Sequence, residues 1–147
     1  MTHRRFPLLV LVVAVLVAGT SSPVHADDLP RRDRMLNLLN QTRRSHGLPV
    51  FRLNRNLSHN AWLHSKQMSE QNRCFHTADL YGAVSAYSPL TWGENVGAAG
   101  TLRRVRTLWM GSGGHRANLL NARFRRVGIG VARARGMVWV TVIFYGW

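Results

Sequence analysis

Residues 137–145 read Met-Val-Trp-Val-Thr-Val-Ile-Phe-Tyr, and no other stretch restricts the fold as much. Side chains along a strand alternate between two faces. Here Val138, Val140, Val142 and Phe144 fall on one face, and Trp139, Ile143 and Tyr145 on the other. A strand that is apolar on both faces needs a layer on each. Just upstream, Val127, Ile129 and Val131 alternate with Gly128 and Gly130, and Arg135-Gly136 is a turn signal. The two segments therefore predict a hairpin inside a small antiparallel sheet flanked by helices. This is an α+β chain folded as a three-layer α-β-α sandwich.

The flanking helices are legible upstream. Asp33 to His46 carries Met35, Leu38, Leu39 and Thr42 at helical spacing, with Asp33 placed to cap it and Gly47 and Pro49 to stop it. Asn54-Arg55-Asn56 offers caps for a second helix, Leu57 to Asn72, whose apolar stripe is Leu57, Ala61, His64/Ser65 and Met68. Thr101 can cap a third helix with Leu102, Val105, Leu108 and Trp109, and a short helical turn fits Arg116 to Asn121. Residues 73–100 are interrupted by Gly82, Pro89, Gly93, Gly97 and Gly100 and read as loop-rich.

The start of the chain reads as an address. Arg4-Arg5 precedes an apolar run from Leu8 to Ala18, and Val24-His25-Ala26 has the small-x-small pattern of a cleavage site. Residues 1–26 are expected to be a signal peptide and 27–32 a short lead, with one domain over 33–147. The run is too short to span a bilayer, so no transmembrane segment is expected after its removal. The product should be secreted or extracellular, with association to the cell envelope open to it. The sole cysteine, Cys74, excludes an internal disulfide framework and any multi-cysteine zinc cluster. It reads as a buried thiol, a partner for another molecule or a metal ligand. A formal charge of +14 suits anionic partners. Nine Arg and no Asp or Glu lie between Asn95 and Trp147. No nucleic-acid-binding motif accompanies that charge, so sequence-specific nucleic-acid binding is not expected.

Five histidines lie beyond the leader. His46 ends the first helix, where an imidazolium suits the dipole, and His59 should face solvent. His64, on an apolar stripe, reads foremost as a core histidine. His76 and His115 sit beside small and turn residues, in loops where site residues concentrate. Between them comes Gly93-Glu94-Asn95. Glu94 is the last acid of the chain. It is either paired with an Arg or placed to orient a His or a cation.

The blocks Leu38-Leu39-Asn40-x-x-Arg43, Ala61-x-x-His64-Ser65-x-x-Met68, Phe75-His76-Thr77, Gly93-Glu94-Asn95-Val96, Ser112-x-Gly114-His115-Arg116-Ala117-Asn118 and Val127-Gly128-Ile129-Gly130 follow in an order that resembles a bacterial secreted member of the CAP superfamily, or SCP domain. That superfamily includes the cysteine-rich secretory, antigen-five and pathogenesis-related proteins. The resemblance covers about residues 33–147. It implies an α-β-α sandwich with a cleft lined by His76, Glu94 and His115, with Asn95 and Ser112 beside them. It also implies that His76 and His115 are the positions at which some relatives bind zinc. Neutral imidazoles suit a divalent metal, and a carboxylate can ligate it or orient a ring. The second Glu of the fuller family set is absent, with Ser112 or a water in its place, so weaker zinc binding is expected. The animal-type cysteine framework is absent too.

Three functions compete. The first is a non-enzymatic secreted binding protein whose polar cleft takes a small ligand or lipid, or a divalent metal. The second is a hydrolase, using either a metal-bound water or Ser112, His115 and Glu94 as nucleophile, base and orienter. Gly111-Ser112-Gly113-Gly114 follows a helix rather than a strand, unlike a nucleophile elbow. The third is a cationic binder of anionic polymers or lipid surfaces, whose affinity should fall steeply with salt.

Overall fold

The computed structural model describes residues 30–147. The expected leader, 1–26, and residues 27–29 of the lead lie outside the described residues. The elements in chain order are α1 (Arg31–Ser45), β1 (Arg52–Leu53), α2 (Arg55–Gln71), α3 (Leu80–Val84) with a 3-10 turn at Ser85–Tyr87, β2 (Thr91–Ala99), α4 (Leu102–Gly111), α5 (Gly113–Leu120), β3 (Arg126–Ala134) and β4 (Met137–Gly146). The sheet order is β1-β3-β4-β2. The expected three-layer sandwich is the observed architecture.

The hairpin forms where the turn signal lies. Arg135 and Gly136 take φ of 52° and 72°, the two positive values that a tight two-residue hairpin turn needs. β4 is central, antiparallel to both β3 and β2. β1 adds two residues parallel to β3, so the sheet is mixed at that edge rather than wholly antiparallel.

Register separates the two faces of β4. Trp139, Thr141, Ile143 and Tyr145 lie opposite Ala98, Val96, Glu94 and Trp92 of β2 and opposite Ala132, Gly130, Gly128 and Arg126 of β3. This face takes α2. A Cβ on Gly130 would come within 2.1 Å of the Ala61 backbone, and one on Gly128 within 2.4 Å of the Leu57 side chain. The two glycines that give β3 its alternation are therefore where the helix backbone lies directly on the strand. The opposite face, Val138, Val140, Val142 and Phe144 with Val127 and Ile129, packs against Met35 and Leu39 of α1, Leu102, Val105 and Trp109 of α4, and Leu119 and Phe124.

The largest difference from the sequence reading is β2. Residues 91–99, expected as loop, form a nine-residue strand paired throughout with β4. Its glycines admit neighbours. A Cβ on Gly97 would sit 2.9 Å from Trp109 Nε1, and that indole donates to Val96 O at 2.9 Å. Other boundaries shift slightly. α1 begins after Pro30, with Asp33 inside its first turn and paired with Arg32 rather than capping. α5 starts at Gly113, so His115 lies on a helix and not in a loop. Cys74 is exposed rather than buried.

One polar residue crosses the α1 layer. Arg43 is fully buried, and among the described residues its bonds run to carbonyls and not to a carboxylate. Its guanidinium donates to the carbonyls of Pro49, Leu119, Asn121 and Phe124 and lies 4.0 Å from the centre of the Phe51 ring. Burial, reinforced by the charge of Arg125, pulls it down to about 10. Five fixed donors suit such a cage of carbonyls better than an ammonium would. Asn40 completes the seam, donating to Phe51 O and accepting from Phe51 N–H.

Candidate functional site

Glu94 projects from β2 toward the α2 layer and is buried. Its Oε1 accepts from His76 Nδ1 at 2.7 Å and from the Thr77 N–H at 3.0 Å, and its Oε2 accepts from the Thr77 hydroxyl. Of the two roles open to Glu94, orienting a histidine is the one realised. The carboxylate side chain is 1% exposed and the imidazole 64%. A buried anion thus anchors both an exposed ring and the loop that carries it. Because a carboxylate only accepts, Nδ1 carries the proton of this bond, and Nε2 is the ring nitrogen that Glu94 leaves unused.

Asn95, the next residue, projects to the other face. Its Nδ2 donates to His115 O at 3.0 Å, while Asn118 Nδ2 lies 2.9 Å from Asn95 Oδ1 and 3.1 Å from Glu94 O. These bonds tie α5 to β2. His115 Nδ1 lies 2.9 Å from Ser112 Oγ, and its ring stacks on Trp109 with centroids 6.2 Å apart. Burial, then the charge of His76, lowers the pKa of His115. The two histidines lie on opposite sides of β2, His76 on the loop held by Glu94 and His115 on α5. Beside His115 is a cavity of about 280 Å³ lined by Val96, Gly97, Ala98, Val105, Leu108, Trp109, Ser112 and His115. His76 and Glu94 are not among its walls.

The predicted residues thus form two pairs, His76–Glu94 and His115–Ser112, with Asn95 between them. Glu94 does not orient His115, so the Ser-His-Glu relay is not assembled. Asn118 and Thr77 were not singled out as candidates, although both lie inside the quoted blocks. His64 also belongs to this neighbourhood. Its Nδ1 lies 3.0 Å from Thr141 Oγ1, and its ring meets the edge of Phe75, one residue before His76. Among the described residues its buried Nε2 has no hydrogen bond of good geometry, although the His76 backbone interacts with the ring. Burial lowers its pKa, and the charge of Glu94 opposes that shift.

Among the described residues, no group of three or more His, Cys, Asp or Glu side chains is arranged to hold a metal. Both Glu94 oxygens are engaged, and the exposed Cys74 joins no cluster. The residues present do not fit a closed structural zinc site. What they offer is two imidazole nitrogens, His76 Nε2 and His115 Nε2, each on a ring whose Nδ1 is already held.

Comparison with known proteins agrees with this fold. The family model of the cysteine-rich secretory proteins, CAP, matches residues 36–144. YkwD of Bacillus subtilis, an uncharacterized protein, is 31% identical over 113 residues, covering 72% of this chain and 44% of YkwD. An extracellular protein of Bacillus anthracis containing an SCP domain superposes with a TM-score of 0.66 at 27% identity, over 86% of this chain and 45% of that one. A cysteine-rich secretory protein of Staphylococcus aureus gives a TM-score of 0.65 at 25% identity, over 80% of this chain and 39% of that one. The chain spans less than half the length of each of these three relatives. Matched from α1 to the end of β4, the chain belongs to the CAP, or cysteine-rich secretory protein, family.

Proposed function

We propose that this is an extracellular, non-enzymatic binding domain that presents two preset imidazole edges at the open side of β2. The carrying observation is the use made of Glu94. Three of the roughly four acceptor sites of its carboxylate go into holding His76 and Thr77, so the group serves to fix that ring and its loop. The apolar cavity beside His115 adds room for a small ligand or one end of a lipid. Extracellular residence rests on the leader-like sequence at the start of the chain and on the extracellular relative from Bacillus anthracis.

A divalent metal would be held by the Nε2 atoms of His76 and His115, with water completing its shell, and would act as a Lewis acid toward a bound group. Two protein ligands make such a site weak. Calorimetric titration of zinc into the protein and into a His76→Ala/His115→Ala double variant tests this reading. Weak binding in the parent and none in the variant is the expected result. Equal heats in the two would reject the metal. The hydrolytic reading is less well supported by the same geometry, because Ser112 and His115 lack a carboxylate behind them.

A further inference from the structure

The described residues include eight exposed large hydrophobics, and four of them, Tyr81, Leu90, Trp92 and Trp147, gather at one end of the sheet. The Leu90 N–H donates to Gly146 O. Trp92 lies opposite Tyr145 across the β2–β4 ladder. The Tyr81 ring is 4.9 Å from that of Trp92, and the Trp147 ring 5.5 Å from that of Tyr145. Leu90 is the barest of the eight, at 71% exposure. Clustering of this kind marks an interaction surface, whereas scattered exposed hydrophobics do not.

Arginines border the same end. Arg126 lies opposite Tyr145 on the β3–β4 ladder, so it shares that face of the sheet. The Arg125 N–H donates to Tyr145 O, and the Arg123 backbone packs on Gly146, where a Cβ would come within 1.8 Å of Arg123 O. Arg52 lies opposite Arg126 on β1. Against these four cations, the acids of the described residues on adjoining elements are Asp79, which caps α3 through the Gly82 N–H, and buried Glu94, which is bound to His76 and Thr77.

We propose that this end of the molecule docks on a bilayer carrying anionic headgroups. Trp and Tyr rings seat at the headgroup level with their polar atoms wet. A bare Leu gains only by entering the acyl boundary, and Arg forks pair with lipid phosphates. A polysaccharide would use the rings but would leave Leu90 and the uncompensated arginines unexplained. Trp92 and Glu94 are successive side chains on one face of β2, so the patch lies beside the His76–Glu94 pair; the proposal concerns the patch and not what that pair binds.

Sedimentation with vesicles of phosphatidylcholine, with and without phosphatidylglycerol, tests the proposal. The protein used begins at Asp27, because the expected leader would itself bind lipid; that form contains every described element. The expected result is binding that needs phosphatidylglycerol and weakens with added salt. An Arg123→Gln/Arg126→Gln double variant should lose about 25-fold, from about five-fold per basic residue at an anionic surface. A Leu90→Ser/Trp92→Ala/Trp147→Ala triple variant should lose at least about ten-fold. Trp62→Ala, on α2 and as exposed as Trp92 at 41%, should bind like the parent. Brominated lipid should quench tryptophan emission of the parent, which keeps the test open if a variant fails to fold. Binding without preference for phosphatidylglycerol, a triple variant that folds and binds like the parent, or absence of quenching would each overturn the proposal. Patch-dependent binding to isolated cell-wall polysaccharide with none to vesicles would overturn it equally.

Discussion

At the scale of single residues, two buried polar groups carry the clearest consequences. Arg43→Met would remove the side-chain donor from the carbonyls of Pro49, Leu119 and Phe124, and leave Asn121 O with the Phe124 N–H alone. Each unsatisfied group costs about 1–3 kcal/mol, so a loss of at least about 3 kcal/mol is expected in denaturant unfolding. Arg43→Lys should fail to restore it, because an ammonium cannot span that fan of carbonyls. His64 sets a pH dependence. Its folded pKa is depressed, mainly by burial, so the unfolded chain binds the proton more readily. Stability from this group is therefore full above the ordinary histidine value of about 6.5 and declines as pH falls below it. Thermal midpoints measured from neutral to mildly acidic pH should fall, and His64→Gln should flatten the fall. An equal slope in both proteins would remove His64 as its source. His64 was legible as a stripe residue of α2. Its place beside Phe75 and within the field of Glu94 was not, because that depends on how the loop after α2 folds back.

At the scale of elements, the α2–β3 contact is the most exacting. Gly130→Ala would drive a methyl to within 2.1 Å of the Ala61 backbone, and no rotamer change can relieve a backbone clash. Overpacking of this kind costs about 1–3 kcal/mol or more. Gly100→Ala, with nothing within 4 Å of the added carbon, should change stability by less than about 0.5 kcal/mol. Urea midpoints of the two variants measure the contrast, and similar midpoints would mean that α2 can lift off the strand. The elements with clean periodicity, α1, α2, α4 and the β3–β4 hairpin, were readable because their patterns are local. β2 was not, because Gly93 and Gly97 break the alternation. Those positions are small to admit Asn118 and Trp109, residues that arrive from later in the chain.

At the scale of the whole molecule, one exposed cysteine means that the described fold is held without a disulfide. Cys74→Ser should shift stability by less than about 0.5 kcal/mol, and a reducing agent should leave the thermal midpoint unchanged. A midpoint lowered by reductant would instead reveal a covalent partner at Cys74. The cross-links are polar and internal. Arg43 joins α1 to the segment before β3, and Asn118 joins α5 to β2. Both residues stood inside recognisable blocks of the sequence. Apart from Asn95 Oδ1, their partners are backbone groups, which carry no residue signature.

Period and punctuation therefore suffice to give the layer architecture and the hairpin, since each is written in neighbouring side chains, while His76, Glu94 and His115 were drawn together by the order of their blocks. Three results waited on long-range packing. Glu94 takes His76 rather than His115, because the alternation of β2 sends Glu94 and Asn95 to opposite faces. Residues 91–99 become a strand because β4 offers a full ladder of partners. Tyr81, Leu90, Trp92 and Trp147 form one patch because pairing of β2 with β4 brings distant stretches of chain together at the same end of the sheet.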